Sequence, residues 1–199
     1  MDFQSRKNKV ILNKNGNIEK TFASTKALET EISMLKLLNG NYAPSLIQKL
    51  STNTIEMSYI RGTLLLDLYL KSDINNAKKL AIILSKTINH IYFLTNKITF
   101  DENFRNYIIT PNFDCIRIDF EESIDGTLES YIAKIMAFAS LYDTSVDVKT
   151  TFISTLANNL KPNSKILINE YKKELTFLAN RWDTNFPSDL YNLIITKAI

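Results

Sequence analysis

A short stretch of the chain places three oxygen-bearing side chains around two apolar runs separated by a tight turn. Residues 100–121 begin Phe-Asp-Glu-Asn-Phe-Arg-Asn-Tyr-Ile-Ile, turn at Thr-Pro-Asn-Phe and return as Asp-Cys-Ile-Arg-Ile-Asp-Phe-Glu. A hairpin brings the residue before its first strand close to the residue after its second. We therefore expect Asp101, Asn106 and Asp119 to converge at one end of the hairpin. Two carboxylates and an amide oxygen suit a hard cation such as Mg²⁺, and one acid is left to act as a base.

The spacing of apolar residues predicts an α+β fold, in which a small antiparallel sheet with one helix precedes a mostly helical region. The predicted strands span residues 9–14, 18–23, 46–50 and 54–60, and the first helix spans 25–38. The later predicted helices span residues 64–70, 75–96, 128–142, 148–160, 165–182 and 190–199. A change of period near Gly62 divides the chain into an N-terminal lobe, residues 1–61, and a helical C-terminal lobe, residues 62–199. The hairpin at about 100–121 belongs to the second lobe.

Charge and apolar patterning exclude several classes of function. A net charge of +3 does not favour binding to nucleic acid or to an anionic membrane. No apolar run approaches the ~20 residues that a membrane span needs, and the N-terminus lacks the apolar core of a signal peptide. The single cysteine, Cys115, lies in an apolar run and forms no disulfide framework. We therefore expect a cytoplasmic protein, and the sequence leaves its oligomeric state open.

The hairpin carries a family resemblance. Asp101-x-x-x-x-Asn106, followed by Ile-Asp119-Phe-Glu121, resembles the catalytic and metal-binding loops of the protein-kinase-like superfamily. Glu121, which stands where protein kinases have glycine, resembles the aminoglycoside and choline kinase branch more closely. The resemblance covers roughly residues 9–142 and implies a two-lobed kinase-like fold.

Upstream segments follow the order that this resemblance implies. Residues 18–22 resemble the strand that carries the phosphate-binding lysine, and residues 31–35 resemble the helix whose glutamate pairs with it. The resemblance makes Lys20 and Glu31 this pair, although Lys14 and Lys26 stay alternatives for the lysine, as does Glu29 for the glutamate. Residues 54–62 resemble the last strand of the sheet and the hinge behind the adenine. The residues implied at the adenine are Met57 behind the ring and the backbone of Ser58, Tyr59 and Ile60.

The resemblance implies ATP and Mg²⁺ as cofactors and a role for each residue of the hairpin. Asp101 would orient or deprotonate the acceptor hydroxyl, while Asn106 and Asp119 would hold Mg²⁺ on the nucleotide phosphates. Lys20 would contact the phosphates and be steadied by Glu31. Phosphoryl transfer needs mainly positioning and charge stabilisation, so these residues would suffice for it.

Several departures from the family pattern bear on activity. The chain has no Gly-rich loop, so we expect the first strand and its phosphate-covering turn to be missing or degenerate, which gives a truncated N-terminal lobe. Thr99 stands where the family usually has histidine, and Asn103 stands where many members have lysine.

Three functions follow as alternatives. The first is an ATP-dependent phosphotransferase acting on a hydroxyl of a small molecule or a protein, with Glu121 favouring the small molecule. The second is a pseudokinase that binds nucleotide or a partner protein, and the third is a helical interaction module.

Overall fold

An antiparallel sheet and one helix form the first part of the chain in the computed structural model, which describes residues 2–3 and 7–197. The strands are β1 (Asp2–Phe3), β2 (Lys9–Leu12), β3 (Asn17–Thr21), β4 (Leu46–Lys49) and β5 (Thr54–Ser58), and the helix is α1 (Thr25–Leu38). The strand order is β1-β2-β3-β5-β4, and all neighbouring strands are antiparallel. The α+β class and the single helix of this region agree with the prediction from the sequence.

The first strand is present but only two residues long, where the sequence predicted a missing or degenerate strand. β1 pairs with β2 in the register Asp2↔Ile11 and Phe3↔Val10, so the sheet has five strands. A strand of two residues is too short to show the alternation that identifies strands, so no periodic pattern marks it in the sequence. The phosphate-covering turn would fall between β1 and β2, where residues 4–6 lie outside the described part of the chain.

Helix α1 owes its limits to its two caps and presents one polar group on its buried face. The Ser24 side chain accepts a hydrogen bond from the Ala27 amide, and Asn39 ends the helix in the left-handed conformation with φ of 47°. The buried face is otherwise apolar and includes Leu28 and Leu35, yet it also carries Glu31. A carboxylate on this face needs a partner inside the molecule.

The rest of the chain is mainly helical. Its helices are α2 (Leu65–Leu70), α3 (Ile74–Thr95), α4 (Leu128–Leu141), α5 (Val146–Leu160), α6 (Ser164–Arg181) and α7 (Ser188–Lys197). α4 packs against both α5 and α6, and all ten residues from 131 to 140 are buried. A helix buried on every side is expected at the centre of a core, and the buried Lys134 of α4 forms an ion pair with Glu174. No helix in the described part of the chain has the length and hydropathy to cross a membrane.

Short strands build the region of the predicted hairpin, four of them between α3 and α4 and one between β5 and α2. They are β6 (Thr63–Leu64), β7 (Lys97–Thr99), β8 (Tyr107–Ile109), β9 (Cys115–Arg117) and β10 (Ser123–Asp125). β8 and β9 form the hairpin in the register Tyr107↔Arg117, and β7 pairs with β10 in the register Thr99↔Ser123. The two antiparallel pairings bring the segment after β7 alongside the segment after β9. The first segment contains Asp101 and the second contains Asp119.

Candidate active site

Lys20 lies at the centre of a buried charge cluster. Residues alternate between the two faces of β3, and this alternation turns Lys20 inward, where its side chain is 5% exposed. Its Nζ atom lies 2.8 Å from Oδ1 of Asp119 and 3.3 Å from Oε2 of Glu31. Glu121 Oε2 lies 3.6 Å from the same nitrogen. The ammonium group therefore joins the sheet and α1 to the segment that follows β9.

The alternatives that the sequence left open for this pair point away from the cluster. Lys14 and Lys26 are exposed, as is Glu29. Glu31, in contrast, is fully buried and also accepts a hydrogen bond of 2.8 Å from the backbone amide of Phe120. The structure thus places Lys20 and Glu31 together, and it fixes Glu31 to the residue that follows Asp119.

Opposing effects of burial and charge set the pKa values in this cluster. Burial alone would lower the pKa of Lys20, but the charges of Glu31 and Asp119 raise it above its ordinary value. Burial would raise the pKa of Asp119, but the charge of Lys20 and its hydrogen bond hold that pKa below its ordinary value. Burial raises the pKa of Glu31 to about 7 against the opposing charge of Lys20. Lys20 and Asp119 are therefore both charged at neutral pH.

Asp101 and Asn106 meet in the loop between β7 and β8. The Asn106 Nδ2 donates to the backbone carbonyl of Asp101 at 3.1 Å, and the Asp101 Oδ1 accepts from the Asn103 amide at 3.1 Å. The Asn106 carbonyl in turn accepts from the Ile118 amide at 2.9 Å. These bonds tie the Asp101 loop to the residue next to Asp119. They also occupy the nitrogen of the Asn106 amide, which leaves Oδ1 as the atom able to coordinate a cation.

The donor set fits a magnesium ion that is shared with a substrate. Among the described residues, no three His, Cys, Asp or Glu side chains form a group that could hold a metal by themselves. Mg²⁺ is typically held by one or two carboxylates together with substrate phosphates and water. The Asp119 carboxylate and the Asn106 amide oxygen supply oxygen ligands of this kind. The Asp119 side chain is 36% exposed, so solvent reaches it.

The positions expected at the adenine lie at the end of β5. Met57 is buried and pairs across the sheet with Ile18 and Leu46. The Ser58 amide donates to the Ser45 carbonyl at 2.9 Å, so this amide already has a hydrogen-bond partner within the protein. Tyr59 and Ile60 continue the chain toward β6, and Tyr59 is 43% exposed. Their contacts with a nucleotide stay a prediction.

Arg117 is a residue that our interpretation of the sequence missed. Its side chain is 1% exposed and lies between the two loops of the site. Its Nε donates to the backbone carbonyl of Asp119 at 2.8 Å, and its Nη2 donates to that of Asp101 at 3.0 Å. Its Nη1 forms an ion pair with Glu102, which is fully buried. The available signal was an arginine inside the apolar run Ile-Arg-Ile together with a glutamate directly after Asp101. Charged residues are rarely buried unless paired, so two opposite charges in buried segments indicate an ion pair.

The fold as a whole resembles the folds of solved structures. One is the co-crystal structure of WbdD and the kinase inhibitor LY294002, with a TM-score of 0.59 at 14% sequence identity. The fold is protein-kinase-like. The match covers 96% of this chain and 48% of the WbdD chain, so the chain spans about half the length of that protein. No family model and no curated protein matches the sequence. At this identity the likeness concerns the fold alone.

Proposed function

We propose that the protein is an ATP-dependent phosphotransferase that transfers the γ-phosphate to a hydroxyl group of an acceptor. One observation carries this proposal. The Lys20 ammonium group lies between Glu31 and Asp119, 2.8 Å from the latter, in a protein-kinase-like fold. In such a fold a lysine and an aspartate in contact mark the place where nucleotide phosphates and their cation bind.

Each side chain of the cluster has a separate task in the proposed reaction. Lys20 binds the phosphates of ATP and stabilises their negative charge, while Glu31 keeps the ammonium group in place. Asp101 accepts a hydrogen bond from the acceptor hydroxyl and takes its proton as the hydroxyl oxygen bonds to the γ-phosphorus, while the bond from that phosphorus to the bridging oxygen breaks and ADP leaves. Because phosphoryl transfer depends mainly on positioning and charge, these tasks account for the chemistry that the protein has to supply.

Asp119 and Asn106 are the residues that would hold Mg²⁺. The ion would supply positive charge at the phosphate oxygens, where negative charge lies in the transition state. The protein orients both ligands before the nucleotide arrives. The Asn106 amide is fixed through its nitrogen to Asp101, and the Asp119 carboxylate is fixed through Oδ1 to Lys20.

We further propose a small-molecule acceptor, as in the aminoglycoside and choline kinase branch. Glu121 supports this choice because it replaces the glycine that protein kinases have after Asp-Phe. Its side chain lies in the cluster, 3.6 Å from the Lys20 Nζ, and accepts a hydrogen bond from Asn8. Glu121 therefore adds negative charge beside Asp119 in place of a flexible turn.

A pseudokinase that binds nucleotide without turnover is the second candidate. The sequence favours it at two places. Thr99 stands where the family usually has histidine, and the first glycine of the chain is Gly16, which lies beyond β2. A chain without glycine between β1 and β2 lacks the residue type that lets a backbone approach phosphates closely.

Nucleotide binding and turnover test these candidates separately. We expect ATP with Mg²⁺ to raise the melting temperature, because a ligand at 100 times its Kd adds about 2.7 kcal/mol of stability. We expect Asp101→Ala to retain this shift and to lose ATP consumption across a panel of hydroxyl acceptors. Asp114→Ala is the control, since Asp114 is an exposed aspartate in the β8–β9 turn. Absence of any shift with ATP and Mg²⁺ would contradict both candidates, whereas binding without consumption would favour the pseudokinase.

A further inference from the structure

We propose that Arg117 is a positioning residue that holds the loop of the candidate base and the loop of the candidate metal ligand at a fixed separation. Its effect on catalysis rests on the function proposed above, but its effect on the two loops does not. One guanidinium group donates to both loops, through Nε to the Asp119 carbonyl at 2.8 Å and through Nη2 to the Asp101 carbonyl at 3.0 Å. The two residues whose relative position matters most for the proposed reaction thus share one donor.

The guanidinium group is itself held on every side. Its Nη1 pairs with the Glu102 carboxylate and donates to the Tyr107 hydroxyl at 2.7 Å. Glu102 also accepts hydrogen bonds from the hydroxyls of Thr99 and Tyr107. The aromatic rings of Tyr107 and Phe120 lie 5.0 Å and 5.5 Å from the Arg117 Cζ. Arg117 is therefore fixed before it fixes the loops, as a positioning residue requires.

The backbone of Arg117 extends this connection to the first part of the chain. Its amide donates to the Tyr42 carbonyl at 3.0 Å, in the loop that follows α1. The two loops are also connected through Asn106, whose side chain donates to the Asp101 carbonyl and whose own carbonyl accepts from the Ile118 amide. Loss of the side-chain link would leave the two loops able to shift relative to each other.

Arginine is suited to this task and lysine is not. The guanidinium group is a rigid planar fork whose donors point in several fixed directions at once, whereas an ammonium group is a compact charge on a flexible stem. Arg117→Lys therefore keeps a positive charge opposite Glu102 but cannot reach both carbonyls together with the carboxylate. The hydroxyl of Thr99, which stands where the resembled family usually has histidine, donates a hydrogen bond to Glu102. The Arg117 side chain donates to the carbonyls of both loops.

A matched pair of variants separates positioning from simple stability. Arg117→Lys breaks the link to the two carbonyls, whereas Tyr107→Phe removes the hydroxyl that bonds Glu102 and Arg117 but leaves both carbonyl contacts. Urea unfolding of each variant first gives its global stability. Hydrogen exchange of the amides then reports on the loops without any requirement for activity. The informative amides are those of Asn103 and Asn106 in one loop and of Phe120 in the other, because each is hydrogen bonded in the structure.

We expect Arg117→Lys to accelerate exchange in both loops together and Tyr107→Phe to leave their exchange unchanged. We also expect kcat to fall about 10²-fold in Arg117→Lys, the size typical of a displacement near 1 Å, while KM for ATP stays as in the wild type. Acceleration in only one loop, or equal acceleration in both variants, would overturn the proposal, as would losses of kcat that follow global stability alike in the two variants. A wild-type protein that neither binds nor consumes ATP with Mg²⁺ would refute the proposed function, and the exchange data would still decide the role of Arg117.

Discussion

Single residues in this protein are informative because buried charges must have partners. An ammonium group with a side-chain exposure of 5% would be strongly unfavourable alone, and Lys20 is compensated by Glu31 and Asp119. Glu31 in turn has one oxygen, Oε1, without a hydrogen-bond partner among the described residues. An incompletely satisfied carboxylate is the group in this cluster that most readily takes up a proton, which agrees with the upward shift of its pKa.

The pKa of Glu31 predicts a specific dependence of stability on pH. Its folded-state value of about 7 exceeds the ordinary 4.5, so the folded protein binds more protons than the unfolded chain between these values. The contribution of Glu31 to stability is therefore fully present below about 4.5 and is lost as the pH rises through about 7, a loss on the order of 3 kcal/mol. We expect the free energy of unfolding of the wild type to fall relative to that of Glu31→Gln across this window. Urea unfolding at a series of pH values measures the difference.

Subtracting the free energy of unfolding of Glu31→Gln from that of the wild type cancels the contributions of other titrating groups. The pKa of Glu102 is also raised by burial, against the charge of Arg117, but Glu102 is present in both proteins and drops out of the difference. Glu29→Gln is the matched control, because Glu29 is an exposed residue of the same helix, and it should follow the wild type. Parallel pH profiles for the wild type and Glu31→Gln would show that the charge of Lys20 balances the burial of Glu31.

The sequence predicted some of these residues and concealed others for physical reasons. The resemblance to the protein-kinase-like superfamily pointed to Lys20 and Glu31, and the strand context and the edge of the apolar helical stripe favoured them over the neighbouring lysines and glutamate. Arg117 was concealed because its partners are two backbone carbonyls and a glutamate fifteen residues away, which are contacts that no local period records. The pairing of Ser58 with Ser45 was concealed in the same way, since it depends on the register of β5 against the loop before β4.

Whole elements were predicted best where local signals and tertiary packing agree. Helix α1 spans Thr25–Leu38 as predicted, because a serine cap, an apolar stripe and a terminal Asn-Gly all favour the same limits. Strand β1 was missed because two residues carry no period. The hairpin of β8 and β9 was predicted, and Phe104–Asn106 form a 3₁₀ turn directly before β8. That turn places Asn106 against Asp101.

Gly62 gives a prediction at the level of elements, because it allows β6 to approach β8. A Cβ atom on Gly62 would lie 2.2 Å from the Ile109 carbonyl oxygen and 2.5 Å from Cγ2 of Ile108. Since β6 pairs with β8 at Thr63↔Ile109, Gly62→Ala has to move one strand away from the other. We expect a loss of about 1–3 kcal/mol in the free energy of unfolding, as for other overpacked sites.

A second glycine provides the comparison for this variant. A Cβ atom on Gly126 would lie 2.3 Å from Cδ1 of Ile98, which is a side-chain atom rather than backbone. Ile98→Val removes that atom, so the double variant Gly126→Ala, Ile98→Val should recover part of the stability that Gly126→Ala loses. Because a backbone oxygen obstructs Gly62, Ile108→Ala should not recover the loss of Gly62→Ala. Full stability of Gly62→Ala in urea unfolding would show that the strands separate at no cost.

At the scale of the whole molecule, one continuous core and several polar links join the sheet to the helices. Buried apolar residues form a single cluster that runs from Ile18 in the sheet to Ile194 in the last helix. Polar links cross between the two parts at Lys20 with Asp119 and at the Phe120 amide with Glu31. The division at residues 61 and 62 that we inferred from the sequence stays a prediction. These links bear directly on whether the two parts behave as separate units.

The continuous core predicts that the protein unfolds in one cooperative transition. If residues 1–61 and 62–199 were independent, each would melt at its own temperature, but neither part can lose its structure without exposing apolar surface of the other. We therefore expect a single calorimetric peak whose calorimetric and van't Hoff enthalpies agree. Because the Lys20 cluster lies where the two parts meet, ATP with Mg²⁺ should move the whole peak rather than a fraction of it. Two peaks, or a nucleotide shift confined to one of them, would establish independent lobes and would place the cluster on a hinge instead of in a shared core.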